Sequence, residues 1–317
     1  MFSFVGEKQL EKLRTTVENF NKAGYCVLDE FFETSIVQKL HSEITQLQAA
    51  NLMKPNQVQF LVEGKTLLVT KPGIFEADLF DKTLRSFEPL ETFRDVYGKY
   101  GEEFVTALQA NGYSKSLVAG ENGRVVKLQY NDGNGGCFPL HYDNPGRPNK
   151  RVVTCAIYLN PDWKEGDGGE LELVPFLASP VIIPPKMNRL VIFRSDSILH
   201  RVLPTNAKRY CFTIWIDGKN VNSDSDTQLR IRKDELQDVS ALSSNFRNSA
   251  VQRLLARAVY RENFEISLRE CMKETPGFKI LLAQHLGHLE SVKKNKALYQ
   301  LVETLRQYKE SERCNSG

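Results

Sequence analysis

A chain of 317 residues, 41% apolar and 26% charged, has room for one large globular domain or one domain with an appendage. Its formal charge of +3 is too small to indicate a nucleic-acid partner, which needs concentrated Lys and Arg. No apolar run approaches the ~18 residues that cross a bilayer, and "MFSFVGEKQLEKLR" lacks the pattern of a secretory signal. The expectation is therefore a cytosolic or nuclear protein with neither nucleic acid nor membrane among its partners.

Along the chain, Leu10, Leu13, Val17 and Phe20 recur at helical spacing, and Gly24 stands where a C-cap belongs. "YCVLDEFF" reads as a short strand, and "TSIVQKLHSEITQLQAA" as a second amphipathic helix with Thr34 or Ser35 as its cap. "VQFLVEGKTLLVT" predicts a hairpin over 57–70 that turns at Glu63-Gly64-Lys65. "SFEPLETFRDVYGKYGEEFVTALQ" is helical, with Pro89 and Gly98 placed to break it.

From Arg124 the texture changes. "RVVKLQY", "RVVTCAIYLN", "GELELVPF", "PVIIP", "RLVIFRS" and "YCFTIWI" are short β-rich runs separated by Gly, Pro, Asn and Asp. Such spacing indicates a sandwich or barrel. Helices precede the strands, so the class is α+β. After Trp215 a polar stretch leads to three helical segments, "AVQRLLARAVYRENFEISLRECM", "FKILLAQHLGHL" and "KALYQLVETLRQYKE". The expected division is 1–120 for supporting helices and hairpin, 121–220 for the β-core, 221–245 for a polar linker and 246–317 for a C-terminal helical extension. His285 and His288, at i and i+3, read as residues of a helix surface or interface. The cysteines Cys26, Cys137, Cys155, Cys211, Cys271 and Cys314 form no CxxC pair and are expected to be reduced structural thiols.

Within "HYDNPGRPNKRVVTCAIYLN", His141 and Asp143 are two residues apart, the spacing that shares one face of a strand. Alone this pair is a weak signal. It gains weight from His200 in "SDSILHRVLP", because two imidazoles and one carboxylate form the facial triad of non-haem Fe(II) sites, with coordination positions left open. The same residues suit a catalytic zinc, so the triad leaves the metal open. Arg209 follows His200 by nine residues. An Arg directed into a β-core needs an anion, since a buried unpaired guanidinium is costly. Its fork matches a carboxylate, and 2-oxoglutarate is the natural candidate. Thr213 shares the face of Arg209 by period two.

These residues, "HYDNP…RVVTCAIYLN…GGELELVPF…NRLVIFRSD…LHRVLP…RYCFTIW", resemble the core of 2-oxoglutarate- and Fe(II)-dependent prolyl hydroxylases, above all the oxygen-sensing branch that acts on hypoxia-inducible factor and its microbial relatives. The resemblance covers roughly residues 20–217. It implies a double-stranded β-helix (jelly-roll, cupin-like) core. It implies His141, Asp143 and His200 as iron ligands and Arg209 as co-substrate anchor. Tyr158 and Thr213 would lie on the same carboxylate, with Tyr130 beside the co-substrate and Arg151 and Trp215 lining the target-proline pocket. It also implies Fe(II), 2-oxoglutarate and O2, support by ascorbate, and a protein substrate with a target proline. The hairpin departs from the family's mobile finger loop, and the C-terminal helices match nothing in it. Two alternatives therefore stand beside protein prolyl hydroxylation: a hydroxylase of a free amino acid or other small molecule, and a non-catalytic scaffold whose C-terminal helices make a protein contact.

Overall fold

β-Branched and aromatic runs build two antiparallel sheets. A computed structural model of the protein describes residues 7–62, 65–85, 87–219, 229, 238–247, 249–272 and 275–315. The strands are β1 (Tyr25–Leu28), β2 (Lys54–Val62), β3 (Lys65–Asp78), β4 (Arg124–Asn131), β5 (Phe138–His141), β6 (Arg151–Tyr158), β7 (Leu171–Val174), β8 (Val181–Ile183), β9 (Leu190–Arg194), β10 (Leu199–Val202) and β11 (Arg209–Asp217). Seven of them form the larger sheet, in the order β1-β9-β6-β11-β4-β3-β2, and four the smaller, β5-β10-β7-β8. β6 and β11 lie mid-sheet and are buried on both faces, which is why they read as unbroken apolar runs.

The larger sheet's outer face is covered by N-terminal helices. α1 (Glu7–Ala23) and α2 (Thr34–Ala49) contribute Val17, Phe20, Leu40, Ile44 and Leu47 to a core with Val126, Leu128, Phe212 and Ile214. Gly24 ends α1 at positive φ, its N–H donating to the Phe20 carbonyl at 2.9 Å. The N-cap of α2 is Glu33, which makes no side-chain cap bond, so Thr34 and Ser35 fall inside the first turn. The segment 87–110 is broken, as Pro89 and Gly98 suggested, into a 3-10 turn, α3 (Glu91–Asp95), a π turn that includes Gly98, and α4 (Gly101–Ala110). The predicted hairpin is longer than expected and pairs through β3 with β4, so the sheet runs across the expected boundary at 120. Glu63 and Gly64 of its turn lie outside the described residues.

The smaller sheet is covered by the C-terminal helices: α5 (Val239–Arg247), α6 (Arg253–Val259), α7 (Arg261–Met272), α8 (Gly277–Lys294) and α9 (Lys296–Asn315). Leu140, Val174, Phe176, Leu177 and Leu199 share one core with Leu255, Val259, Tyr260, Phe264 and Leu305. The extension is thus a layer of the same globule, and part of the expected linker is helix from Val239 onward; most of 221–237 lies outside the described residues. His285 is fully buried where α8 meets Phe264 of α7, the interface side of the expectation. The reduced-thiol expectation fails for one pair: Cys137 and Cys271 form a disulfide with Cα atoms 5.2 Å apart, while Cys26, Cys155 and Cys211 are free and buried.

Candidate metal and co-substrate site

β5 and β10 pair with His141 opposite His200, which sets both imidazoles on one face of the smaller sheet. Asp143 lies just past the end of β5. Its Oδ1 is 3.5 Å from Nε2 of His141 and 3.7 Å from Nε2 of His200. The donor atoms of all three lie within 4.8 Å of one another, the one such cluster found among the described residues.

Backbone contacts fix the ring tautomers. Nδ1–H of His141 donates to the Pro139 carbonyl at 2.8 Å, and Nδ1–H of His200 to the Ile198 carbonyl at 3.2 Å. Each Nε2 is thereby the ring atom turned toward Asp143. Burial, reinforced by His141, pushes the His200 imidazole down to about 4, against the pull of Asp143, so the ring is neutral near pH 7. Burial acts to raise the Asp143 carboxyl, but His200, His141 and the Trp215 indole outweigh it and hold the group well below the usual carboxylate range. Oδ2 of Asp143 accepts from Thr154 Oγ1 at 2.7 Å and from Trp215 Nε1 at 3.0 Å, leaving Oδ1 turned to the imidazoles. Ser195 Oγ, 2.8 Å from Thr154 Oγ1, extends this network.

The larger sheet contributes a second set of groups. In register, Arg209, Cys211, Thr213 and Trp215 of β11 face inward with Tyr158, Ala156 and Thr154 of β6. Arg209 is buried; its Nε donates to the Gly169 carbonyl at 2.9 Å and its guanidinium carbon lies 5.0 Å from the Tyr158 ring centroid. No carboxylate among the described residues makes an ion pair with it. Gly169, at φ +76°, is required here: a Cβ would meet Arg209 Cδ at 2.8 Å. Burial drives the Tyr158 phenol well above the tyrosine range despite Arg209, so it keeps its proton and is available as a donor. Thr213 is buried on the same face.

The donor set fits a divalent transition metal, with two imidazoles and an anionic carboxylate whose spare oxygen is already held. The cation without an anionic partner fits a dicarboxylate.

Of the other residues expected in the site, Arg151 lies 4.0 Å from the Trp215 ring as a cation over its face. Tyr130 needs correction. It pairs with Tyr210, stacks on it at 5.0 Å and belongs to the helix-covered core, on the face opposite Arg209. A phenol there points away from Arg209 and Thr213; Val125, Lys127, Gln129 and Asn131 are the β4 residues on that inner face. Thr154, Ser195 and Gly169 were not anticipated, because contacts across sheets leave no local pattern. Lys71 was also missed. Its amine sits 4.2 Å from the Phe138 ring centroid, beside His141, and burial pushes it down to about 8.

Residues 126–217 match the 2OG-Fe(II) oxygenase superfamily. The chain is 39% identical to a solved prolyl 4-hydroxylase from Phytophthora capsici, with a TM-score of 0.81 and 98% of both chains covered. It is 26% identical over 215 residues to a hypoxia-inducible factor prolyl hydroxylase of Caenorhabditis elegans, covering 64% of this chain and 28% of that protein. The chain thus spans under a third of that relative's length. A Trichoplax adhaerens prolyl hydroxylase solved with a hypoxia inducible factor peptide fragment superposes with a TM-score of 0.54 at 24% identity, over 67% of this chain and 93% of that one; this likeness is one of fold.

Proposed function

The chain belongs to the 2OG-Fe(II) oxygenase superfamily, and from that premise we propose that it hydroxylates a prolyl residue in a protein substrate. The observation that carries the reading is Arg209, a buried guanidinium with no ion-pair partner among the described residues. It shares an inner face with Trp215, whose indole reaches Asp143. Support for a prolyl substrate comes from the 39% identity to the Phytophthora capsici prolyl 4-hydroxylase over nearly the whole chain.

In this reading His141, Asp143 and His200 hold Fe(II) through Nε2, Oδ1 and Nε2. Arg209, Tyr158 and Thr213 hold the distal carboxylate of 2-oxoglutarate. When bound, the iron with 2-oxoglutarate and O2 supplies the oxidising chemistry, yielding succinate and CO2 as one oxygen atom enters a C–H bond. The chain's own residues bind, orient and exclude water. Thr154 and Trp215 fix the carboxylate, backbone carbonyls fix both rings, and the inter-sheet core of Leu171, Leu173, Val191 and Phe193 keeps the interior dry. Arg151 and Trp215 line the pocket for the target proline, and the β2–β3 hairpin covers the bound peptide.

Ascorbate supports activity by keeping iron ferrous, and the enzyme acts as an oxygen sensor. The outward Ile266, Leu286 and Tyr299 of the C-terminal helices offer apolar surface for a protein contact. We place the protein in the cytosol or nucleus, where the glutathione pool would contest the Cys137–Cys271 bond.

The test is incubation of the purified protein with Fe(II), 2-oxoglutarate and ascorbate, with either proline-containing peptides or free proline. Hydroxyproline within peptides, coupled to succinate, is expected. Hydroxylation of free proline alone would assign the small-molecule reading, and no succinate with any substrate would overturn the oxygenase activity.

A further inference from the structure

β5 is an edge strand of the smaller sheet, so the backbone groups on its free side need partners from elsewhere. The C-terminal layer supplies them. The Leu140 N–H donates to Ser267 Oγ of α7 at 3.1 Å, and that hydroxyl donates to the Phe264 carbonyl at 2.9 Å. The Tyr142 hydroxyl donates to Gln252 Oε1 at 2.9 Å; Gln252 is fully buried and anchored by its amide to the carbonyls of Phe246 and Arg247 at 3.0 and 2.9 Å. The Arg253 guanidinium donates to the Asn144 carbonyl at 2.8 Å and to its Oδ1 at 3.3 Å. Cys137, at the start of the segment, is bonded to Cys271 of α7.

The grip alternates with the metal donors. Positions 140, 142 and 144 are held by the helices, and the residues between them, 141 and 143, present their side chains to the site. Through His141 the chain is β5, where alternate residues point to opposite sides; Asp143 lies just past the strand end, flanked on both sides by the held residues 142 and 144. His200, by contrast, sits on β10 between β5 and β7 and is held by ladder bonds on both sides. Two of the three donors therefore lie on a segment whose outer side is secured by another layer of the protein.

We propose that the C-terminal helical layer is the positioning device of the metal centre, with Gln252, Arg253 and Ser267 as positioning residues that pre-aim His141 and Asp143. The inference rests on the reading of these donors as metal ligands. It gives the residues after 246 a function that the jelly-roll core alone does not supply.

The test is Mn(II) titration of the full chain, followed by electron paramagnetic resonance, with thermal unfolding of the same samples. Arg253→Met and Gln252→Leu are expected to weaken Mn(II) binding about 10- to 100-fold, the range typical of residues that orient ligands, and Ser267→Ala by a few-fold. Arg253→Lys should recover part of the loss. Glu262→Gln, which breaks an ion pair with Arg306 away from β5, should lower the melting temperature and leave Mn(II) affinity unchanged. If Arg253→Met does not fold, Ser267→Ala and Arg253→Lys carry the comparison. Wild-type affinity in the three positioning variants, or equal loss in Glu262→Gln, would overturn the positioning role alone. A wild-type chain that takes up no Mn(II) would overturn the metal reading and this inference with it.

Discussion

The Trp215 indole N–H donates across the two sheets to Oδ2 of Asp143 at 3.0 Å, while Arg151 stacks on the ring's face at 4.0 Å. A residue expected to line a substrate pocket thus holds the carboxylate of the candidate metal site. Trp215→Phe keeps most of the aromatic surface and removes this bond. A hydrogen bond to a charged group contributes about 1.5–3 kcal/mol, so Mn(II) affinity should fall roughly 10-fold or more. Calorimetric titration checks it; unchanged affinity would confine Trp215 to the substrate pocket.

Arg209 is buried with no carboxylate counter-ion among the described residues, its charge met by the Gly169 carbonyl, Cys211 and Tyr158 alone until an anion binds. Arg209→Met should leave the ligand-free protein as stable or more stable, by about 1–4 kcal/mol, as in replacements of buried charge by apolar groups. The variant should also lose the rise in melting temperature that 2-oxoglutarate gives the wild type. Differential scanning fluorimetry with and without the co-substrate reads both effects. A 2-oxoglutarate shift that persists would remove Arg209 as the anchor.

The pleat separates the two tyrosines. Tyr158→Phe removes a donor on the Arg209 face and should raise the half-saturating 2-oxoglutarate concentration several-fold, about 0.5–1.5 kcal/mol for one hydrogen bond. Tyr130→Phe, on the helix-covered face, should leave it unchanged. Succinate formation against 2-oxoglutarate concentration discriminates them, and a reversed order would contradict the strand register.

In the helical layer, burial acts to raise the Glu262 carboxyl, but bonds from Arg306 and Arg261 outweigh it and hold the group down to about 2. A depressed carboxyl contributes stability fully above the ordinary value of 4.5 and loses it as pH falls toward about 2. Glu262 is half exposed, so screening keeps the contribution on the order of 1 kcal/mol or less. Urea unfolding should show wild type more stable than Glu262→Gln at pH 6 and the gap closing near pH 2. A constant gap would exclude the ion pair as its source.

How much of this was legible in the chain depended on the range of each contact. The runs of β6 and β11 announced buried strands, and the spacing of His141, Asp143, His200 and Arg209 carried the site, because residue type and period survive in a linear string. Tyr130 was misplaced because a strand's face follows from register, and a one-residue slip exchanges the faces; Asn131, not Tyr130, lies opposite Arg209. The Cys137–Cys271 bond spans 134 residues, and no spacing signals it. The bonds from Thr154 to Asp143 and from Arg253 to Asn144 are likewise products of packing.

The central claim is tested most directly by isotope. The purified protein is supplied with Fe(II), 2-oxoglutarate, ascorbate and 18O2 in an extract of cells lacking it, and succinate and tryptic peptides are read by mass spectrometry. The account predicts one 18O atom in succinate and one on a prolyl residue of a discrete protein, both lost with His200→Ala. Label in succinate with none on any protein prolyl residue, and label on a small molecule instead, would contradict it.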